Sequence, residues 1–163
     1  MALFGGARDI SMFRHINREL LHDVIQQEIA YYKISLVNTR QNLYGESTQK
    51  VYQDPVLLKC LITRSDIQTT DSDFGPDITR TLSYALLRDD LLDLQLVPEN
   101  GDIIVWQESY YEVHAVNENQ FFVGKSDEYT YTDYLNRFGS SISIILDTHL
   151  TRPEKVGIQR QRF

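Results

Sequence analysis

The chain has 163 residues, 42% of them hydrophobic and 24% charged, which fits one folded domain with a real core and excludes wholesale disorder. A formal net charge of −7 argues against a protein that binds nucleic acid by neutralising phosphates. No apolar run approaches the roughly 20 residues of a membrane helix, and the single cysteine, Cys60, cannot form an internal disulfide, so we expect synthesis in a reducing cytoplasm.

The chain opens with a predicted amphipathic helix over residues 10–31. Apolar residues recur there at near-helical spacing, Asp9 or Ser11 can cap the start, and the interior has neither glycine nor proline. The apolar positions are Ile10, Phe13, Ile16, Leu20, Leu21, Val24, Ile25 and Ile29. From Tyr31 a period of two predicts a strand to Leu36, followed by a polar loop.

The middle of the chain predicts two strands and a long loop between them. Residues 56–64 are a largely apolar strand, and residues 65–77 are a polar loop containing Gly75-Pro76. Residues 78–87 alternate, with Leu82, Tyr84 and Leu86 facing one way and Thr81, Ser83 and Ala85 the other. One or two helical turns, capped by Asp89, are expected over residues 88–94.

The C-terminal third predicts an antiparallel meander. A tight turn over residues 98–102 contains Asn100-Gly101, which favours positive backbone angles. Strands are expected at 102–106, 110–116 and 120–124, joined by short turns. An aromatic-rich helix or loop at 127–138 and a strand at 141–150 follow.

Together these elements predict a mainly β (α+β) fold. It is a small antiparallel β-barrel or sandwich with a leading N-terminal helix and long loops. Residues 1–150 form the single predicted domain, and residues 151–163 form a basic C-terminal arm.

Candidate catalytic and metal-binding groups do not form a convincing site. Cys60 lies inside an apolar strand, which favours a buried structural thiol over a nucleophile. Glu112 and His114 share a strand face and could form an acid–base pair, but no nucleophile motif accompanies them, so a surface pair is the better interpretation. The acids at 71–77 resemble a calcium loop, yet the twelfth position is Leu82 where a bidentate glutamate is needed. We predict no enzyme activity, no cofactor and no metal.

Charge and aromatic patterning favour contacts with proteins. The middle of the chain is acidic, whereas the last twelve residues carry four basic side chains and one acidic one, which suggests contact between copies or with another protein. The alternative is a solvated terminus. Tyrosines with acidic neighbours suit protein contact better than phosphate, although half of them could belong to the core. They are Tyr110, Tyr111, Tyr129, Tyr131 and Tyr134.

Three segments resemble the neck proteins of large contractile-tailed bacteriophages. They are the arginine–aspartate segment 88–94, the proline-x-x-glycine-aspartate turn and strand at 98–104, and the tyrosine–glutamate–valine strand at 111–113. Residues 22–32 also resemble the entry helix of those proteins. The similarity spans most of residues 15–125.

The resemblance implies a β-barrel-like head-closure (stopper) protein of the virion neck. Such a protein forms a closed ring, usually a hexamer, between the portal or adaptor above and the tail-terminator or tail proteins below, and helps retain packaged DNA. Within that picture, the loop with Asp71, Asp73 and Asp77 is a candidate lining of the DNA channel. The candidate contacts with neighbouring subunits or partners are Lys155, Arg160, Arg162, Phe163, Tyr129 and Tyr131.

Two other classes stay open at this point. A tail-terminator subunit also forms a hexameric ring, whereas a mostly helical adaptor is disfavoured by the strand count. A non-viral ligand-binding β-barrel would need a concave, mostly apolar pocket with a few convergent polar groups.

Overall fold

The computed structural model of the protein describes residues 7–35, 38–39, 50–65, 68–72, 75–118 and 142–152. Helix α1 spans Ala7–Glu19 and continues as a π-helical segment, Leu20–Ile25, and helix α2 spans Arg88–Asp93. The strands are β1 (Glu28–Tyr32), β2 (Val56–Lys59), β3 (Leu61–Arg64), β4 (Gln68–Ser72), β5 (Gly75–Thr79), β6 (Thr81–Leu87), β7 (Ile103–Trp106), β8 (Ser109–Asn117) and β9 (Ser143–Thr151).

Seven strands form one antiparallel sheet in the order β2-β1-β7-β8-β9-β6-β3. Its two edge strands are consecutive in the chain and are separated only by Cys60. The sheet must therefore curl until its edges meet, because neighbouring Cα atoms are about 3.8 Å apart. Each edge strand pairs with its one neighbour in the sheet, β2 with β1 and β3 with β6, and the two edge strands do not pair with each other. The sheet is therefore open and sandwich-like and does not close as a barrel. The predicted mainly β fold is confirmed in this sandwich-like form.

The inner face of the curled sheet carries the main core. β6 shows why: Leu82, Tyr84 and Leu86 are buried, while the residues between them are partly exposed, as its period of two predicts. The other core side chains come from around the sheet and from α2, namely Ile29, Tyr31, Leu58, Cys60, Leu91, Ile104, Trp106, Tyr111, Val113, Ile144 and Leu146. Each fully buried aliphatic side chain stabilises the fold by roughly 1.5–3 kcal/mol.

The outer side of β1, β7 and β8 carries a second, smaller apolar cluster. Ala30 and Tyr32 of β1 pack there with Ile103 of β7 and Tyr110 of β8. Since Ile29 and Tyr31 belong to the main core, β1 is covered on both faces. A strand covered on both faces has no polar alternation, so its sequence reads as an apolar run.

The N-terminal helix is shorter than its apolar pattern predicts. Gln26 adopts a left-handed φ of 51°, and its N–H donates to the Leu21 carbonyl, which ends the helical segment. Residues 28–32 then pair as β1, so the prediction of helix up to residue 31 is wrong. The strand expected up to Leu36 starts earlier, and beyond β1 Ile34 forms an isolated bridge with Tyr52.

Residues 68–72 and 75–79 form two paired strands where the sequence predicts a long loop. β4 and β5 pair in register from Gln68 with Thr79 to Ser72 with Gly75. The segment is rich in threonine, which favours strands without apolar alternation, and that is why the pattern failed to indicate it. The expected single strands 56–64 and 78–87 are each divided in two, at Cys60 and at Arg80.

Helix α2 and the β7–β8 hairpin follow the prediction closely. The expected cap is wrong, because Leu87 occupies the N-cap without a side-chain hydrogen bond and Asp89 lies in the first turn. Gln107 and Glu108 join β7 to β8 with positive φ values of 47° and 62°, the signs that a type I′ turn requires. The other edge of β8 pairs with β9. The strand expected at 120–124 lies outside the described residues.

The predicted turn over residues 98–102 is held by a buried carboxylate. Gly101 has a φ of 94°, which glycine adopts without steric cost. Asp102 is fully buried and accepts hydrogen bonds from the N–H groups of Ile34 and Glu99, both at 2.8 Å, while the Tyr31 hydroxyl also donates to it. These bonds fix the turn to the end of β1, so Asp102 has a structural role.

Candidate interaction surface

The N-terminal helix is attached to the sheet domain through charged side chains. Arg14, Arg18 and His22 follow one another at four-residue spacing and therefore lie on one face of the helix. Arg14 lies 3.5 Å from Asp89, and Arg18 lies 3.4 Å from Asp90. Their ion pairs connect the helix to α2.

His22 and Asp93 complete this polar attachment. The His22 Nε2 atom lies 2.7 Å from Asp90, whose side chain is only 12% exposed, and Arg18 also reaches Asp93 at 3.1 Å. Lys59 of β2 donates to the His22 carbonyl at 3.1 Å. The arginine–aspartate segment predicted from sequence is therefore engaged within the same chain.

The opposite face of the helix is apolar and exposed. Met12, Ile16, Leu20 and Val24 recur every four residues, and their exposed fractions run from 47% at Leu20 to 72% at Val24. These four residues are called the apolar stripe below. An amphipathic helix ordinarily turns its apolar face to the core and its charges to water. Here the charged face contacts α2, and the four residues of the apolar stripe are about half exposed or more.

A groove continues the apolar stripe onto the outer face of the sheet. It has a volume of about 490 Å³ and runs between the helix and strands β3, β6 and β9. Leu20 and Ile25 line its helix side, and Leu61, Ala85 and Ile145 line its sheet side. Stripe and groove form one continuous apolar surface, of the kind that marks interaction sites on soluble proteins.

A second exposed apolar patch lies beyond α2. Leu92, Leu94 and Val97 are each about half exposed or more, as is Leu57 of β2. Leu57 and Leu94 also line a pocket of about 270 Å³ beside Arg18. Leu57 and Leu94, which share this pocket, are called the α2 patch. It lies on the charged flank of the helix, whereas the groove borders the apolar stripe.

Two of the three residues predicted to line a DNA channel lie in the paired strands β4 and β5. Asp71 lies in β4 opposite Pro76, and Asp77 lies in β5 opposite Thr70. Asp73 lies outside the described residues. So do the predicted contact residues Tyr129, Tyr131, Lys155, Arg160, Arg162 and Phe163.

Two tyrosines that sequence reasoning assigned to a contact surface belong to the core. Tyr110 is 3% exposed and Tyr111 is fully buried. They lie on opposite faces of β8, and both faces of β8 are covered at this end, so the alternative of core tyrosines is the correct one for them. The helical period of the N-terminal segment is visible in the sequence, but no local pattern indicates that its charged face contacts the domain, because the partners of Arg18 and His22 lie some 70 residues away in the chain.

Cys60 behaves as the predicted buried thiol. It is fully buried, and burial raises its pKa to about 12, so the nucleophilic thiolate is scarce at neutral pH. Its backbone N–H donates to the Gln27 carbonyl at 2.9 Å, which extends the pairing of β2 with β1.

Glu112 and His114 do not form the pair that strand periodicity suggests. A β-bulge shifts the register between Val113 and Ala115, and His114 stacks against His149 with 5.7 Å between ring centroids. Glu112 is bound instead by Lys50 at 2.8 Å. Among the described residues, no three or more histidine, cysteine, aspartate or glutamate side chains are grouped to hold a metal ion.

Comparison with known proteins adds no relative. No protein-family model matches the sequence, and a search of curated proteins finds no significant match. In the part of the chain that the structure describes, neither helix combines the length and apolar character needed to cross a membrane.

Proposed function

We propose that the protein is a structural component that assembles with copies of itself through the apolar stripe, as a ring in the neck of a tailed virus particle. One observation carries the proposal of assembly. The helix uses its charged face intramolecularly and leaves its apolar face to solvent, which costs free energy until another surface covers it. The neck location is supported by the sequence resemblance at residues 88–94, 98–104 and 111–113.

A closed ring needs two different surfaces on each subunit, because its contacts are heterologous. The apolar stripe with its groove, and the α2 patch, are two exposed apolar surfaces on different sides of the helix. We propose that the stripe of one copy packs against the α2 patch of the next. Repetition of that contact closes a ring, for which the resemblance suggests six copies.

Cysteine cross-linking tests this contact. In a Cys60→Ala background, Ile16→Cys and Leu94→Cys are made singly and together, and a short bis-maleimide is added to the full-length protein. We expect ladders of covalent oligomers from the double variant alone, since each link joins two different surfaces. Efficient dimers from Ile16→Cys alone would show a twofold contact and overturn the ring.

The location in the particle has its own test. Quantitative mass spectrometry on purified particles from the source should find this chain in a fixed ratio to the portal protein, about half as many copies for a hexamer beneath a twelvefold portal. Absence of the chain from the particle would reject the neck assignment. A position at the distal end of the neck would favour the tail-terminator alternative.

The same proposal includes two more specific roles, the first for three aspartates at residues 71–77 and the second for the basic C-terminal arm. We propose that Asp71, Asp73 and Asp77 line the channel through which DNA passes, where their negative charge would prevent DNA from binding to the wall. The triple change to asparagine should then slow DNA ejection, and unchanged ejection kinetics would remove this role.

The basic arm is proposed to dock on a neighbouring subunit. Its candidate contacts are Lys155, Arg160, Arg162 and Phe163, with Tyr129 and Tyr131 as further contacts. Deleting residues 155–163 should weaken ring or neck assembly, whereas normal particles after the deletion would show that the arm is dispensable.

A further inference from the structure

The groove beside the apolar stripe is lined by uncharged residues. It lies between the helix and strands β3, β6 and β9, has a volume of about 490 Å³, and includes Leu20 and Ile25 of the helix. Among the described residues that line it, none carries a charged side chain, and only Asn17, Thr63 and Ser143 are polar. A segment that fills this groove should bring apolar side chains and no charge, because a buried charge without a partner is costly.

The sequence that precedes helix α1 has this composition. Residues 1–6 include Met1, Leu3 and Phe4 and contain no charged side chain. Three other segments of more than two residues lie outside the described part of the chain, and each of them contains charged side chains. They are residues 40–49, 119–141 and 153–163. Leu3 and Phe4 are therefore the side chains that match the groove best.

Leu3 and Phe4 cannot fill the groove of their own chain. The Cα atom of Leu3 lies at most about 14 Å from that of Ala7, and the Cα atom of Phe4 at most about 11 Å, because an extended chain advances no more than about 3.6 Å per residue. Leu20 lies about 20 Å from Ala7 along the helix, at about 1.5 Å per residue, and Ile25 lies farther still. An occupant with these side chains must therefore come from a second copy of the chain.

A neighbouring subunit brings its own helix close to the groove. In the ring proposed above, the α2 patch of the neighbour covers the stripe, and Leu94 of that patch shares a pocket with Arg18 of the same subunit's helix. The start of that helix lies about 16 Å from Arg18 along the helix axis. The groove continues the stripe through Leu20, which belongs to both. The segment before the neighbour's helix can therefore reach the groove across this contact.

We propose that Leu3 and Phe4 of one subunit occupy the groove of the next subunit in the ring. The exchange attaches the start of each helix to the sheet of a neighbour, and it covers an apolar surface of the kind that marks interaction sites. This contact depends on the proposed self-assembly, and it adds a second contact to that between the stripe and the α2 patch.

Cross-linking between differently tagged subunits tests the exchange. In the Cys60→Ala background, a Phe4→Cys chain and a Leu61→Cys chain are co-expressed at full length, and a short bis-maleimide is added to the purified protein. We expect heterodimers that contain both tags, because Leu61 lines the groove and is 46% exposed. Val51→Cys in place of Leu61→Cys is the control. Val51 is 38% exposed and lies outside the groove, so we expect no heterodimers from it.

The outcomes separate this contact from the ring itself. If Ile16→Cys with Leu94→Cys forms its ladder while Phe4→Cys with Leu61→Cys gives no heterodimers, the ring stands and the exchange is overturned. If neither pair gives a link, both are overturned. A link within a single chain that carries both Phe4→Cys and Leu61→Cys would place the segment in its own groove and would also overturn the exchange.

A charge placed in the segment should weaken assembly without unfolding the subunit. Phe4→Asp should raise the protein concentration at which half of the subunits are assembled by about tenfold or more, because its carboxylate would enter an uncharged groove. Phe4→Leu keeps an apolar side chain and should assemble like the wild type. Native mass spectrometry over a dilution series measures both, and the Tm of the diluted monomer should be the same in the two variants. Normal assembly of Phe4→Asp, or a lower Tm of its monomer, would contradict the exchange.

Discussion

The inner face of the sheet buries its apolar side chains, whereas the N-terminal helix leaves most of its apolar side chains exposed. In β6, Leu82, Tyr84 and Leu86 point into the core, and the residues between them face outward. In the helix, Arg14 and Arg18 reach toward α2, while the four residues of the apolar stripe are about half exposed or more. The inner face of the sheet is thus buried, whereas the helix has an apolar stripe that the described part of the chain leaves exposed.

This difference distinguishes residues that stabilise the folded monomer from residues that we expect to contact other subunits. A buried polar group such as Asp102 stabilises the monomer, and its loss should be seen in unfolding experiments. An exposed apolar group such as Ile16 contributes little to the monomer, so its loss should be seen only in assembly. Substitutions in the two regions can therefore test this difference, by unfolding experiments for the buried residues and by assembly experiments for the exposed ones.

The largest expected effect on stability is at Asp102. Asp102→Ala leaves the N–H groups of Ile34 and Glu99 and the Tyr31 hydroxyl without their acceptor. We expect a loss of about 3 kcal/mol or more in the free energy of unfolding, measured by urea denaturation. Asp147→Ala is the control, because that aspartate accepts from Ser83 and Asn117 on the outer face, and we expect it to cost about 1 kcal/mol. Equal losses would contradict the role given to Asp102.

The attachment of the helix should depend on Asp90. Asp90→Ala removes the partner of both Arg18 and His22, and the carboxylate is largely shielded from solvent. We expect a loss of about 1–2 kcal/mol and several-fold faster tryptic cleavage in the helix. Asp93→Ala is the control, since that side chain is 63% exposed and should matter little. Unchanged cleavage in Asp90→Ala would mean that apolar contacts hold the helix.

The buried thiol predicts a loss of stability at alkaline pH. The pKa of Cys60 is about 12 in the folded chain against an ordinary value of 9.0, so the unfolded chain ionises first as pH rises. Folding stability then falls between pH 9 and pH 12, by about 1 kcal/mol at pH 10 from this group. Urea unfolding at pH 8 and pH 10 should show this fall in the wild type and a smaller one in Cys60→Ala. Equal falls in the two proteins would exclude the contribution of Cys60.

The smallest expected effect on stability is in the apolar stripe. Ile16→Asp should change the free energy of unfolding by no more than about 0.5 kcal/mol, because the side chain is 48% exposed. His15→Asp is the neighbouring control outside the stripe, with a similar expectation. A loss of several kcal/mol for Ile16→Asp under monomeric conditions would mean that the stripe packs within the chain.

Local patterns in the sequence predicted much of the sheet. Alternation identified β6, the strand predicted at 141–150 corresponds closely to β9, and the Asn100-Gly101 turn was placed correctly, because strand period and turn chemistry depend on neighbouring residues. The end of the helix was missed. Residues 28–32 continue its apolar pattern, and only pairing with distant strands β2 and β7 makes them β1.

The direction of the exposed surfaces depends on contacts between residues that are far apart in the sequence, and no local pattern contains such contacts. The apolar stripe was visible as a helical period, but its outward direction follows from ion pairs to α2, some 70 residues away in the chain. Within the described residues, the hydroxyls of Tyr84 and Tyr111 and the indole nitrogen of Trp106 have no hydrogen-bond partner. A tyrosine in sequence does not reveal whether its hydroxyl finds a partner.

Native mass spectrometry of the wild type and Ile16→Asp over a range of protein concentrations tests the central claim most directly. We predict a closed wild-type oligomer of defined size, monomers of Ile16→Asp at the same concentration, and His15→Asp assembling like the wild type. A wild-type protein that stays monomeric at every concentration, or an Ile16→Asp variant that assembles normally, would contradict the claim that the apolar stripe is the assembly surface.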